Sequence, residues 1–207
     1  VENGAEVNAV DKSGYTALHK AAFAGHVDVV KCLVESGAEV NAVDKVGKSA
    51  LFVAASAGHV DLVKCLVENG AEVNAVDESC YTALLPAAFA GHVDVVKCLV
   101  ENGAEVNAVD KSCYTPLGAA ALAGHVDVMK CLVENGAEVN AVDKSGYTAL
   151  HKAAFAGHVD VVKCLVESGA EVNAVDKSGY TALGLAAYDG HVDVVKCLVE
   201  NGAEVNA

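Results

Sequence analysis

The 207-residue sequence has no tryptophan and no arginine, only two prolines and one methionine, and aromatic residues make up just 5% of it. An interior without many aromatic anchors must be built from alanine, valine and leucine, which favours closely packed short helices. Hydrophobic residues make up 53% of the chain and charged residues 20%, a balance that excludes an intrinsically disordered protein. No apolar run approaches the ~20 residues that cross a bilayer, so we expect no membrane insertion.

Positive charge is also scarce. Twenty-eight acidic side chains face 14 lysines, and the formal net charge is −14 at pH 7. Such a chain repels phosphate backbones and anionic lipid, so nucleic acid is not expected as a partner. The first residues, Val1-Glu2-Asn3-Gly4, show no charged-then-apolar signal region.

The chain repeats itself along its whole length, which predicts a single array over residues 1–207. Six repeats span residues 11–43, 44–76, 77–109, 110–142, 143–175 and 176–207, and a partial repeat at 1–10 precedes them. Residues 1–45 are identical to residues 133–177. This identity indicates duplication of a multi-repeat unit or consensus engineering, and the sequence leaves both origins open.

Each repeat has the signals of two short helices and a turn. Thr16 can cap a first helix over an apolar stretch, and Gly25 can end it. Valines and leucines at helical spacing then predict an amphipathic second helix, with Asp28 in its first turn and Gly37 as its stop. The following stretch is rich in Gly, Asn, Asp and Ser, which is typical of a tight projecting turn.

These segments closely resemble the ankyrin repeat family. The family's Thr-Pro-Leu-His, Gly-His and Gly-Ala-Asp-Val-Asn-Ala motifs correspond here to Thr16-Ala-Leu-His19, Gly25-His26 and Gly37-Ala-Glu-Val-Asn-Ala42. The resemblance implies an all-α solenoid of helix pairs with projecting β-turn hairpins, in which turns and first helices line a concave face. It also implies a non-enzymatic protein-binding module, a structural role for the His after the inter-helix Gly, and a His19 that braces neighbouring turns.

Differences between repeats concentrate in the turn and the first helix, whereas the second helix barely varies. Tolerated drift would favour polar exchanges, yet several changes install large apolar side chains, which we expect to be exposed, as at Phe52, Leu85, Leu185 and Tyr188. We therefore predict a protein partner on the concave face. The predicted partner-binding residues are Val46, Lys48, Phe52, Val53, Ser56, Tyr81, Leu85, Phe89, Tyr114, Leu122, Tyr188 and Asp189.

The eight cysteines have two interpretations. Six recur on the apolar side of the second helices, about 10 Å apart if helices pack normally, and are expected to be reduced core residues: Cys32, Cys65, Cys98, Cys131, Cys164 and Cys197. Cys80 and Cys113 replace a turn glycine and would each cost about 1 kcal/mol if that position needs a positive φ. So many free thiols indicate an intracellular reducing compartment, such as the cytoplasm.

Other chemistry has little support. No phosphate-binding loop or zinc-ligand spacing is present, and neither a metal nor a cofactor is expected. A thiol hydrolase would pair Cys113 with His151, but no carboxylate orienter or oxyanion donor is evident. Two further alternatives are a structural spacer and a filament segment that associates head to tail through uncapped ends.

Overall fold

The computed structural model describes residues 6–205, which form twelve short helices separated by turns. Two isolated antiparallel bridges, Val43 with Ser49 and Val175 with Thr181, join residues across the turns. The all-α class is confirmed. The helices are α1 (Ala17–Ala24), α2 (Val27–Glu35), α3 (Ala50–Ala57), α4 (Val60–Glu68), α5 (Leu84–Ala90), α6 (Val93–Glu101), α7 (Pro116–Ala123), α8 (Val126–Glu134), α9 (Ala149–Ala156), α10 (Val159–Glu167), α11 (Ala182–Tyr188) and α12 (Val192–Glu200).

The helix boundaries follow from local hydrogen bonds. The Thr16 hydroxyl accepts from the His19 backbone N–H, and Gly25 ends α1 at φ 75° in the left-handed region. The second helix carries Asp28 in its first turn, and Gly37 follows its end at φ 89°. These are the cap and stop residues that the sequence predicts.

The turn before each first helix is organised by its leading aspartate. The Asp11 carboxylate accepts backbone N–H bonds from Ser13 and Tyr15 at 2.8 and 3.1 Å, and the other repeats have the same arrangement. Successive turns are joined by backbone bonds such as Lys45 N–H to Ser13 C=O. Glu78 N–H donates to Val46 C=O in the same way, although Phe52 replaces the bracing histidine there.

The helices group into two compact units. Within the described residues, the first contains 6–87 and 94–105, and the second contains 88–93 and 106–205. In the first unit α1 packs on α3 and α2 on α4; in the second, α7, α9 and α11 pack in succession beside α8, α10 and α12. The longest helices among residues 6–205 have nine residues. No helix in this range is long and apolar enough to cross a membrane.

Two invariant side chains tie neighbouring repeats together. Asn41 donates to the Gly70 carbonyl at 3.0 Å and accepts from the Glu72 N–H at 2.9 Å, and five other asparagines do the same one repeat apart. The histidine after the inter-helix glycine donates from Nε2 to a carbonyl of the preceding repeat, as His158 does to Leu122 at 3.1 Å. The structural role that the family resemblance implies for this histidine is confirmed there.

The expectation that all six periodic cysteines are buried is wrong for two of them. Cys65, Cys98, Cys131 and Cys197 are buried, whereas Cys164 is half-buried and Cys32 is exposed. Cys32 lies on α2, the first of the second helices in residues 6–205, so no second helix of a preceding repeat lies beside it there. At Cys164 the short Ser168 replaces the asparagine whose amide lies 3.8 to 3.9 Å above the sulfur in the buried cases.

We expect a thiol reagent to modify Cys32, Cys80 and Cys113 in the native protein, and Cys65, Cys98 and Cys197 only after denaturation. Burial blocks access to the second group and raises the pKa of the Cys65, Cys98 and Cys197 thiols, which lowers the thiolate fraction. Peptide mapping by mass spectrometry after timed labelling measures each rate. Equal native rates at Cys32 and Cys65 would contradict the burial described above.

Candidate binding surface

Most repeat-to-repeat differences occur at one kind of position in the fold. They lie in the turns and in the first helix of each pair, with few exceptions such as Leu62 in α4 and Met129 in α8, while the asparagine and histidine contacts that join repeats recur. The chain therefore keeps its stacking contacts constant and varies side chains on the first helices and turns.

A groove runs over this surface in the first unit. It consists of two adjoining cavities of about 320 and 220 Å³ that share Tyr15, Phe23 and Val53. Phe52 and Ser56 line it on the α3 side. The groove is formed mainly by apolar side chains from α1, from α3 and from the turns that precede them.

Two lysines lie at this groove in a chain whose net charge is −14. Lys20 lines one cavity and lies 2.9 Å from the Asp11 carboxylate, while Lys48 lines the other with its ammonium 5.1 Å from the centre of the Phe52 ring. The Lys20 contact also lowers the pKa of Asp11. Both ammonium groups thus lie beside an apolar surface.

The walls of the groove are held in place by His19. Its Nε2 donates to the Lys48 carbonyl at 2.9 Å, and its Nδ1 lies 2.9 Å from the Thr16 hydroxyl. A carbonyl can only accept, so the proton is on Nε2 and Nδ1 accepts. The bracing role implied for His19 is confirmed, and it joins the α1 side of the groove to the turn that carries Lys48.

The second unit presents a row of large side chains at the ends of its first helices. Phe89, Leu122, Phe155 and Tyr188 occupy the same position in successive repeats, and Tyr188 is 89% exposed. The carbonyls of the first three accept from His125, His158 and His191 at 2.9 to 3.1 Å. The row is therefore anchored through its backbone while its side chains face solvent.

Lys152 in the second unit is buried in a cluster of its own. It pairs with Asp143, and its ammonium lies 4.7 Å from the centre of the Tyr114 ring and 5.4 Å from that of Tyr147. A Cβ on Gly118 would stand 3.2 Å from the Lys152 Cε. The Lys152 side chain thus occupies the space beside Gly118.

Exposure divides the predicted binding residues. Val46, Ser56, Phe89, Tyr188 and Asp189 are exposed, and Lys48, Val53, Tyr81, Tyr114 and Leu122 are half-buried. The expectation of exposed apolar side chains is wrong for Phe52, Leu85 and Leu185, which are 7 to 9% exposed. Phe52 and Leu85 occupy the position of His19, which points between neighbouring first helices and is itself buried.

Three residues that shape this surface are absent from the predicted set. Tyr15 and Phe23 line the groove, and Phe155 is exposed. They recur between repeats, as the predicted Tyr81, Tyr114 and Phe89 do, so differences between repeats do not mark them. The shared helix position with Tyr188 would have identified Phe23 and Phe155.

The contacts of His151 argue against a Cys113–His151 hydrolase. Its Nε2 donates to the Tyr180 carbonyl at 3.1 Å, and its Nδ1 lies 2.8 Å from the Thr148 hydroxyl. Burial lowers the pKa of His151, which favours this neutral form. Both ring nitrogens are engaged in the scaffold, so neither is placed to activate a thiol. Among residues 6–205 no three His, Cys, Asp or Glu side chains cluster as metal ligands.

Cys80 and Cys113 adopt the strained turn conformation that their position predicts. Their φ angles are 65° and 60°, in the left-handed region that disfavours side chains. The equivalent Gly14 shows why the turn is tight, because a Cβ there would lie 2.8 Å from the Lys45 nitrogen.

Comparison with known proteins identifies this architecture. A family model described as ankyrin repeats in three copies matches residues 1–77, 76–143 and 135–207, and so covers the whole chain. The chain belongs to the ankyrin repeat family. It is also similar to the mouse protein "Ankyrin repeat domain-containing protein 49", with 58% identity over 33 residues. That match covers 16% of this chain and 14% of the mouse protein.

Family membership gives the surface a general meaning. Ankyrin repeats are typically non-enzymatic and generally act as protein–protein interaction modules. In this chain the stacking contacts recur from repeat to repeat while the turns and first helices vary. This pattern fits such a module, since ankyrin repeats can change the exposed surface without changing the scaffold.

Proposed function

We propose that this ankyrin repeat protein is a non-enzymatic module whose single array, 1–207, holds a partner protein on the concave face formed by turns and first helices. The observation that carries the proposal is the concentration of repeat-to-repeat differences on that surface, including the exposed Tyr188, which stands in line with the recurring and exposed Phe89. Exposed aromatic side chains near polar neighbours are typical of protein interfaces. The free thiols of all eight cysteines support a reducing intracellular compartment, such as the cytoplasm.

Site-specific photocrosslinking tests which surface the partner contacts. We expect a photoreactive amino acid at Val46 or Phe89 to capture one and the same protein, because both positions are exposed on turns or first helices. Matched probes at Lys64 and Glu101, exposed on second helices, should not capture it. Capture from the second helices alone would overturn the proposed face.

The captured protein then permits an affinity measurement. We expect Tyr81→Ala to weaken binding by about 1 to 3 kcal/mol, as an aromatic side chain near the centre of an interface does. Lys64→Ala is the control, and circular dichroism shows whether each variant is folded. If Tyr81→Ala and Val46→Ala both bind normally, the second to fourth repeats do not carry the interface.

A second candidate function is head-to-tail self-association. Val29 is 48% exposed, whereas Val161, at the same position of an identical repeat, is 1% exposed because the preceding repeat covers it. The last repeat of a second molecule could cover Val29 in the same way, and such a contact need not close. We do not propose binding of phosphate, anionic membranes or nucleic acid, because the net charge of −14 repels anionic ligands.

Sedimentation velocity on the 207-residue chain tests self-association. We expect concentration-dependent oligomers that Val29→Lys abolishes and that Val43→Lys, at an exposed valine elsewhere, leaves intact. A monomer at all concentrations would exclude end stacking and leave partner binding and a structural spacer as the remaining candidates.

A further inference from the structure

We propose that the groove of the first unit binds a peptide segment that combines a bulky apolar side chain with neighbouring carboxylates. This inference rests on the proposed binding function and adds the chemistry of the partner. It is carried by two observations: an apolar groove between α1 and α3, and two lysines at its mouth in an otherwise acidic protein.

The apolar part of the site follows from its size and lining. The two adjoining cavities, about 320 and 220 Å³, share Tyr15, Phe23 and Val53, and Phe23 is among the exposed large apolar residues. Pockets of a few hundred Å³ accommodate one or two large side chains of a ligand. A partner that inserts a Phe, Leu or Trp side chain removes Phe23 and Val53 from water, which is favourable.

The acidic part follows from charge. Lys20 lines one cavity of the groove and Lys48 lines the other, and two aspartates lie close by, of which Asp11 pairs with Lys20. Asp44 is buried and accepts from the Val46 and Lys48 N–H groups, and Asp11 accepts from Ser13 and Tyr15. A basic peptide would gain little here, because the two ammonium groups would oppose it.

Lys20 is available to a partner although it is paired. Its contact with Asp11 is 2.9 Å, but the Lys20 side chain is 61% exposed, and exposed ion pairs contribute little. Lys48 rests over the Phe52 ring at 5.1 Å, an arrangement that keeps its ammonium near the apolar floor. A carboxylate of the partner can therefore replace Asp11 as the ion-pair partner of Lys20. A second carboxylate can pair with the Lys48 ammonium while that ammonium stays over the Phe52 ring.

The identical repeat in the second unit shows that sequence alone does not make this site. Residues 143–175 repeat residues 11–43, but Lys152 there is buried against Asp143, Tyr114 and Tyr147. The Lys152 side chain is thus 8% exposed, whereas the Lys20 side chain is 61% exposed and lines a cavity together with Phe23. Phe155 consequently provides a control for Phe23 in which the local sequence is the same and the neighbouring lysine is buried.

The experiment selects binders from a displayed library of random linear 12-residue peptides with the whole 207-residue chain as target. We expect enriched peptides to carry a large apolar residue within two positions of Asp or Glu. A synthetic peptide of that type should bind Lys48→Gln and Phe23→Ala about tenfold or more weakly than the parent chain. Lys45→Gln and Phe155→Ala are the matched controls, and both should retain parental affinity.

Each other outcome overturns the inference in a distinguishable way. Basic or uncharged peptides whose binding is lost in Phe23→Ala would reject the acidic chemistry while supporting a binding groove. If peptide binding is unchanged in Phe23→Ala and Lys48→Gln but lost in a variant such as Tyr188→Ala, the peptide binds elsewhere. That result would reject this groove and keep the proposed function. Absence of any enriched peptide would reject peptide binding at the groove, and the photocrosslinking test would still decide the proposed function.

Discussion

Replacing Lys152 by Met should lower the free energy of unfolding by about 3 kcal/mol, because it leaves the Asp143 carboxylate without its buried partner. The side chains of Lys152 and Asp143 are 8 and 14% exposed, and two tyrosine rings surround the ammonium. The same replacement at Lys20, in a repeat of identical sequence, should cost much less, because that pair is exposed. Urea denaturation followed by circular dichroism measures both values.

The pH dependence of the free energy of unfolding tests whether the cost of Lys152→Met comes from the charge of Asp143. Burial is the largest single influence on Asp143 and acts to raise its pKa, but the hydrogen bond and charge of Lys152 together with the backbone N–H bonds from Tyr147 and Ser145 outweigh it, and the folded-state pKa is lowered. A carboxyl with a lowered folded pKa stabilises the protein above its unfolded pKa of about 3.9, and this contribution is lost as pH falls through the folded pKa. The difference between the parent and Lys152→Met should therefore be full at pH 7 and shrink below pH 4. Equal costs at Lys152 and Lys20 would contradict the burial argument.

Gly124→Ala should destabilise the second unit by about 3 kcal/mol, whereas Gly136→Ala should cost about 1 kcal/mol. Both glycines are left-handed, with φ of 84° and 87°. A Cβ on Gly124 would lie 2.8 Å from the His158 ring, while a Cβ on Gly136 meets nothing within 4 Å. The alanine at 124 therefore adds a clash that displaces His158 from the Leu122 carbonyl. Urea denaturation compares the two variants.

A double-mutant cycle isolates the clash in this second case. In a His158→Ala background the ring is absent, so Gly124→Ala should cost only the left-handed strain of about 1 kcal/mol. If Gly124→Ala costs the same in both backgrounds, the contact with the His158 ring does not explain why glycine is needed there.

Local features were predictable because short-range hydrogen bonds and steric limits determine them. Thr16 as a cap and Gly25 as a stop depend on residues a few positions away, and both were predicted correctly. Strain at Cys80 was expected only if its turn position needs a positive φ, and the structure shows that it has one. The exposure of Phe52 and Leu85 was predicted wrongly, because a helix position alone does not reveal how closely the next first helix approaches. The groove could not be predicted either, since it needs two helices and the turn that His19 holds between them.

The sequence by itself determined the period, the helix pairs, the family and the kind of surface on which this protein varies. Only the tertiary structure decided which of several identical residues are buried. Lys20 and Lys152, and Val29 and Val161, stand in repeats of the same sequence, yet one member of each pair is exposed and the other is not. The physical reason is that a repeat cannot bury its own apolar face, so each side chain's surroundings come from the neighbouring repeat.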